Sequence, residues 1–235
     1  MGTVTQTATG GSSRQLLDEI VWMIREEKVH HPIAARLIER AMCAGEKRGQ
    51  ADHRRRLLAG LVGRVVELGA GSGINFRHYP DSVTEVTAVE PEAYLRRAAQ
   101  HAAAASSVNV RMVDAVSGHL PFADAFFDAG VASLVLCSVP DQGAALAELF
   151  RVIRPEGELR FYEHVVSHHP FEARVQRLAD ATFWPRVAGG CHRSRDTLAA
   201  IHLAGFLIET CEQFRFSPAA VLPPDPHILG IGRRP

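Results

Sequence analysis

Val65-Val66-Glu67-Leu68-Gly69-Ala70-Gly71-Ser72-Gly73 decides the fold of this 235-residue chain. The β-branched pair Val65 and Val66, followed by Leu68, reads as a buried strand, and the alternating glycines predict a tight turn before a helix starts. Glycine lacks Cβ, so backbone there approaches a bound molecule closely, and N–H groups at a helix start favour a carboxylate or phosphate. A dinucleotide fingerprint places its third glycine at position 74; here that residue is Ile74 and the third glycine is Gly73, which argues against a nicotinamide dinucleotide.

Downstream, residues 84–90 predict a second strand ending in Glu90-Pro91-Glu92, followed by an alanine-rich helix over residues 93–105. A carboxylate at that strand end accepts hydrogen bonds from both hydroxyls of a ribose, so Glu90 points to a nucleoside. Residues 108–113 predict a third strand, ending at Asp114-Ala115, and residues 131–136 a fourth, leading into Cys137. Asp141 is placed to cap a helix carrying Leu146, Leu149, Val152 and Ile153, which stops before Pro155-Glu156-Gly157. A strand over residues 158–165, helices over 171–184 and 195–203, and a hairpin-like pair of strands over 205–216 and 227–232 complete the pattern. The alternation implies an α/β fold, a mostly parallel doubly wound sheet with its ligand at the strand carboxyl ends.

Upstream, residues 1–13 are rich in Gly, Thr and Ser and predict a disordered tail. Residues 14–60 read as extra N-terminal helices, with Leu16, Leu17, Ile20, Val21 and Ile24 at helical spacing, serving as a cap or lid on a main domain over residues 61–235. The run Arg54-Arg55-Arg56 reads as a solvated face, because Lys plus Arg and Asp plus Glu balance at 26 each. That balance argues against nucleic acid and favours a small-molecule partner. Four cysteines with no C-x-x-C pair fit a reducing, cytoplasmic setting, and no apolar run reaches the roughly 20 residues of a membrane span.

Glu67 two positions before G-x-G-x-G, with Glu90 and Asp114 at successive strand ends, resembles the class I S-adenosyl-L-methionine (SAM)-dependent methyltransferases of the ubiquinone/menaquinone-biosynthesis-like group, over about residues 61–234. Within it, Gly73-Ile74-Asn75-Phe76-Arg77-His78-Tyr79-Pro80, Leu134-Val135-Leu136-Cys137-Ser138-Val139, Phe161-Tyr162-Glu163-His164-Val165, Gly190-Cys191-His192 and Pro226-His227-Ile228-Leu229-Gly230 resemble blocks of the animal alkyl-thiol S-methyltransferases. The resemblance implies a Rossmann-like methyltransferase sheet, SAM as cofactor, and methyl transfer to a small-molecule acceptor, a thiol being favoured. It implies that Gly69, Gly71 and Gly73 hold the methionine part of SAM, that Glu67 orients it, that Glu90 binds the ribose, and that Asp114 and Ala115 bind the adenine. Leu136 and Cys137 are implied near the reacting methyl, and Ala70, Asn75 and Pro91 complete the cofactor set.

A thiol with a pKa of about 8.5 is already partly thiolate at neutral pH, so a general base is optional. His164 and His192 are the catalytic candidates, although a histidine in either place is more often structural. His164, His168 and His169 lack a partnering acid pattern for a metal, and Cys137 and Cys191 have no partner visible in the sequence; no metal and no covalent intermediate are expected. The rival functions are O-, C- or N-methylation of a quinone, phenol or natural product, an NAD(P)-binding reductase, and a non-catalytic SAM-binding module.

Overall fold

The computed structural model describes residue 39, residues 43–218 and residues 223–235. The expected tail, the helix over residues 14–28 and most of the segment after it lie outside the described residues. Seven strands, β1 (Gly63–Leu68), β2 (Val83–Val89), β3 (Val110–Val113), β4 (Phe127–Ser133), β5 (Ile153–His164), β6 (Leu207–Phe216) and β7 (Asp225–Arg233), form one sheet in the order β3-β2-β1-β4-β5-β7-β6. The first five are parallel; β7 lies antiparallel between β5 and β6. The hairpin-like pair is therefore present, with its second strand inserted inward.

The quoted stretch behaves as its pattern predicts. Val65 and Val66 are fully buried on opposite faces of β1. Burial of each contributes about 2 kcal/mol. Val65 packs in one core layer with Val86 and with Leu57 and Leu58 of helix α1 (Ala51–Leu58) and Ala99 of α2 (Ala93–Ala104). Val66 packs in the other with Phe161, Leu146 and Leu149 of α3 (Gln142–Val152) and Ile201 of α5 (Thr197–Leu203). Helix α4 (Pro170–Thr182) follows β5. Three helices start behind an acid whose carboxylate accepts a backbone N–H: Glu92 from Leu95, Asp141 from Ala144 and Asp196 from Ala199. Each such cap stabilises by about 1 kcal/mol. Among the described residues no helix is long and apolar enough to cross a membrane.

Four expectations are corrected. No α-helix follows the glycine turn: Gly73, Phe76 and His78 donate to the carbonyls three residues back, and only a 3-10 turn, Phe76–His78, forms. The fourth strand ends at Ser133, not at residue 136, because Leu134 takes φ 56 and turns the chain out of the ladder. The fifth begins at Ile153 and absorbs Pro155-Glu156-Gly157 as an irregularity, with Glu156 at φ 61 and the pairing jumping from Ile153 to Glu158. The arginine run is not a uniform solvated face: Arg55 and Arg56 are exposed, but Arg54 is 1% exposed.

Candidate active site

The carboxyl ends of β1, β2, β4 and β5 meet at one edge of the sheet, and the polar residues there form two connected networks. In the first, Glu67 at the end of β1 is buried; its two oxygens accept from Asn75 Nδ2 at 2.7 Å and from the Tyr79 hydroxyl at 2.8 Å. Burial pushes the Glu67 carboxyl up to about 7, against the pull of these two donors and of the Arg54 charge. Arg54 reaches in from α1 and donates through Nη1 to Asn75 Oδ1 at 2.8 Å and Ser133 Oγ at 3.0 Å, and through Nε to Glu46 at 2.8 Å. Its other terminal nitrogen, Nη2, is buried with no hydrogen-bond partner among the described residues. A buried cationic N–H of this kind is costly, by about 1–3 kcal/mol, until an anion meets it.

The glycine turn wraps beside this network. Gly69, Gly71 and Gly73 have φ of 62, 57 and 77, and a Cβ on Gly69 would overlap the Val135 side chain in the turn after β4. The left-handed backbone and this close approach together require glycine at Gly69. Ala70 N–H donates to the Val89 carbonyl, and Gly71 N–H to Glu90 Oε2 at 2.9 Å. Glu92 N–H donates to the other Glu90 oxygen at 2.9 Å, fixing the carboxylate over Pro91 while each oxygen keeps a second lone pair. Burial raises the Glu90 pKa, opposed by these two backbone donors. Arg96 clamps the neighbouring strand end, donating to the Glu90 and Pro91 carbonyls and to Asp114 Oδ2 at 2.7 Å. Asp114 is exposed and Ala115 half-buried, on the rim rather than in the floor.

The second network builds the turn that carries Leu136 and Cys137. Glu163, next to last in β5 and fully buried, accepts from the Val135 and Leu136 N–H groups at 2.9 Å through one oxygen and from Cys137 N–H at 3.2 Å through the other. Burial pushes this carboxyl up to about 7, and the three backbone donors pull it back. On the far side of the turn, His192 N–H donates to the Cys137 carbonyl at 2.7 Å, so the loop carrying Cys191 is tied to it.

Three side chains then converge. Cys137 Sγ lies 3.5 Å from Cys191 Sγ, and His164 Nδ1 lies 3.7 Å from the first and 3.8 Å from the second. The adjacent Cys191 sulfur and burial hold the Cys137 thiol well above its ordinary pKa. Cys191, in contact with the Cys137 sulfur and facing His164, sits well below it. Burial lowers the His164 pKa, but the adjacent Cys191 sulfur together with the Asp225 and Glu163 charges more than offsets this. His227 packs its ring 4.4 Å from that of His164 and is held neutral by burial, its pKa lowered to about 3. Tyr162, Phe214 and His53 extend an aromatic wall from there toward α1.

The structure thus brings together Glu67, Gly69, Ala70, Gly71, Gly73, Asn75, Glu90 and Pro91, with Val135, which precedes Leu136 and Cys137, against Gly69 and with His164 beside Cys137. His192 does not join: its Nδ1 lies 2.7 Å from the Gly190 carbonyl, and its contribution to the turn is its backbone. His168 pairs with Gln213 at 3.0 Å rather than with His164. The expectation that Cys137 and Cys191 have no partner is corrected, since they partner each other and His164. Arg54 and Glu163 were missed as site residues. Arg54 shares the helical face of Leu57 and Leu58, and Glu163 interrupts the apolar run Phe161-Tyr162; a charge set among apolar residues was the available signal.

A family model described as a methyltransferase domain matches residues 66–161. The chain is 35% identical over 178 residues to thiol S-methyltransferase TMT1B of Mus musculus, covering 74% of this chain and 72% of that protein. It is 37% identical over 109 residues to demethylmenaquinone methyltransferase of Thermobifida fusca, covering 46% and 45%. Among solved structures, geranyl diphosphate C-methyltransferase of Streptomyces coelicolor, in complex with S-adenosyl-L-homocysteine, shares the fold with a TM-score of 0.60 at 14% identity, covering 80% of this chain and 79% of that one.

Proposed function

Because this chain belongs to the family of SAM-dependent methyltransferases that includes the mammalian thiol S-methyltransferases, we propose that it methylates the sulfur of a small thiol. The observation that carries the acceptor is the 35% identity extending over 72% of the mouse enzyme, well beyond the matched methyltransferase domain.

The residues at the sheet edge fit SAM. The unpartnered Nη2 of Arg54 suits the methionine carboxylate, and the free lone pairs of Glu90 suit the two ribose hydroxyls. Asp114 and Ala115 on the rim suit the adenine, Asp114 accepting from its amino group. Glu67 acts at one remove, holding Asn75 and Tyr79 and thereby the glycine turn. The helical segment before β1 serves as the cap that supplies Arg54. Bound SAM supplies an electrophilic methyl on a positively charged sulfur. The chain's contribution is to hold the acceptor in line with that methyl and to exclude water, which is where most of the acceleration in such a displacement arises. The Glu163-braced turn sets the position of Leu136 and Cys137 on the acceptor side. A thiol needs little help from a base, which agrees with His192 being turned toward the Gly190 carbonyl.

The test is mass spectrometry of products from methyl-labelled SAM offered with a panel of thiols, phenols, quinols and amines. A labelled thioether together with S-adenosylhomocysteine supports the reading. Label only on oxygen, carbon or nitrogen overturns it.

A further inference from the structure

Cys137, His164 and Cys191 arrive from three separate places in the chain: the turn after β4, the last residue of β5 and the loop before α5. Their donor atoms form a nearly equilateral triangle with sides of 3.5, 3.7 and 3.8 Å. Two sulfurs and one imidazole nitrogen bound tetrahedrally to zinc at about 2.3 and 2.0–2.1 Å stand roughly 3.8 Å (S to S) and 3.6 Å (S to N) apart. The observed triangle matches one face of that tetrahedron without rearrangement. A disulfide, with its S–S bond of about 2.05 Å, would need only the two cysteines, whereas here the imidazole is as close to each sulfur as they are to each other. Soft thiolates with one imidazole in tetrahedral disposition favour zinc over harder cations.

The triangle is also supported from behind. Glu163 fixes the Cys137 backbone, the His192 N–H to Cys137 carbonyl bond couples the two cysteine-bearing segments, and the His227 ring packs against His164. Both cysteines are buried and His164 is partly exposed. Three protein ligands leave the fourth tetrahedral position to another molecule, the pattern of reactive rather than purely structural zinc.

We propose that Cys137, His164 and Cys191 form a three-ligand Zn2+ site whose fourth position receives the sulfur of the methyl acceptor; this second half rests on the thiol reading above. On coordination the acceptor thiol releases its proton to solvent and binds as thiolate. Its electron pair then forms the new sulfur–methyl bond while the sulfonium–methyl bond breaks, that bond's electron pair staying with the departing sulfur. The neutral thioether product is a weak zinc ligand and dissociates.

The experiment measures Zn2+ and Co2+ uptake by the full chain, reduced with a phosphine and free of added thiols. The expected result is one equivalent of metal, an intense thiolate-to-cobalt absorption with the ligand-field bands of a tetrahedral site, and a change in those bands when 2-mercaptoethanol is added. Cys191→Ser and His164→Ala are expected to weaken zinc binding by more than about 100-fold, beyond what outer-shell changes cause. SAM binding by calorimetry is expected to persist in Cys191→Ser. No uptake by the wild type, or uptake without thiolate absorption, overturns the site whether or not the variants fold. Cobalt bands unmoved by 2-mercaptoethanol overturn the acceptor half. Thiol methylation by protein that takes up no metal sinks this proposal alone, whereas metal uptake without thiol methylation sinks the acceptor reading and leaves the metal site standing.

Discussion

Glu163→Gln is expected to change how stability depends on pH, with a sign that follows from burial. The folded carboxyl is pushed up to about 7, from 4.5, because it is fully buried and its three backbone donors offset only part of the cost of charging it. The native state therefore binds this proton more tightly than the unfolded chain does. That contribution to stability is fully present below about pH 4.5 and is lost as the pH rises through about 7, amounting to roughly 3 kcal/mol. Glutamine cannot ionise, so the variant lacks this loss. It carries instead a nearly pH-independent cost of about 1–3 kcal/mol, because an amide nitrogen now faces one of the three backbone donors. The variant should be the less stable protein at pH 5 and should gain about 2.5 kcal/mol on the wild type by pH 8. Urea unfolding of both metal-free proteins at intervals between those values measures the difference, and titrations of groups remote from Glu163 cancel. Parallel curves would refute the reasoning, since they would mean that the backbone donors compensate burial completely.

Three further outcomes are expected. Gly69→Ala combines a left-handed φ of 62 with overlap against Val135, and should cost about 3 kcal/mol in urea unfolding; a variant as stable as the wild type would contradict the close approach of the two turns. Glu90→Gln removes a charged acceptor and strands one backbone N–H, so calorimetry should find SAM bound about 10- to 100-fold more weakly, and unchanged affinity would remove Glu90 from the ribose site. Arg54→Lys keeps a positive charge but loses the planar fork. Affinity for SAM should fall about tenfold while that for adenosine, which has no carboxylate, stays the same, and equal losses would place Arg54 away from the methionine end.

What sequence alone determined about this protein was local. Val65 and Val66 mark β1 by side-chain alternation, Gly69, Gly71 and Gly73 mark a turn that only glycines form at low cost, and Asp141 marks a helix start by capping; each signal acts within a few residues. The family resemblance rested on the same local blocks, and Glu90 stands where a strand end must stand. Tertiary structure alone decided that β7 inserts between β5 and β6, that after β4 turns out of the ladder at Leu134 a carboxylate on the neighbouring strand takes the Val135 and Leu136 N–H groups, and that Arg54 turns inward while Arg55 and Arg56 face solvent. It alone joined Cys137 to His164 and Cys191, 27 and 54 residues further along the chain. Periodicity and capping report only on neighbours in sequence, whereas these meetings follow from parallel strand order, which sets distant carboxyl ends side by side along one edge of the sheet.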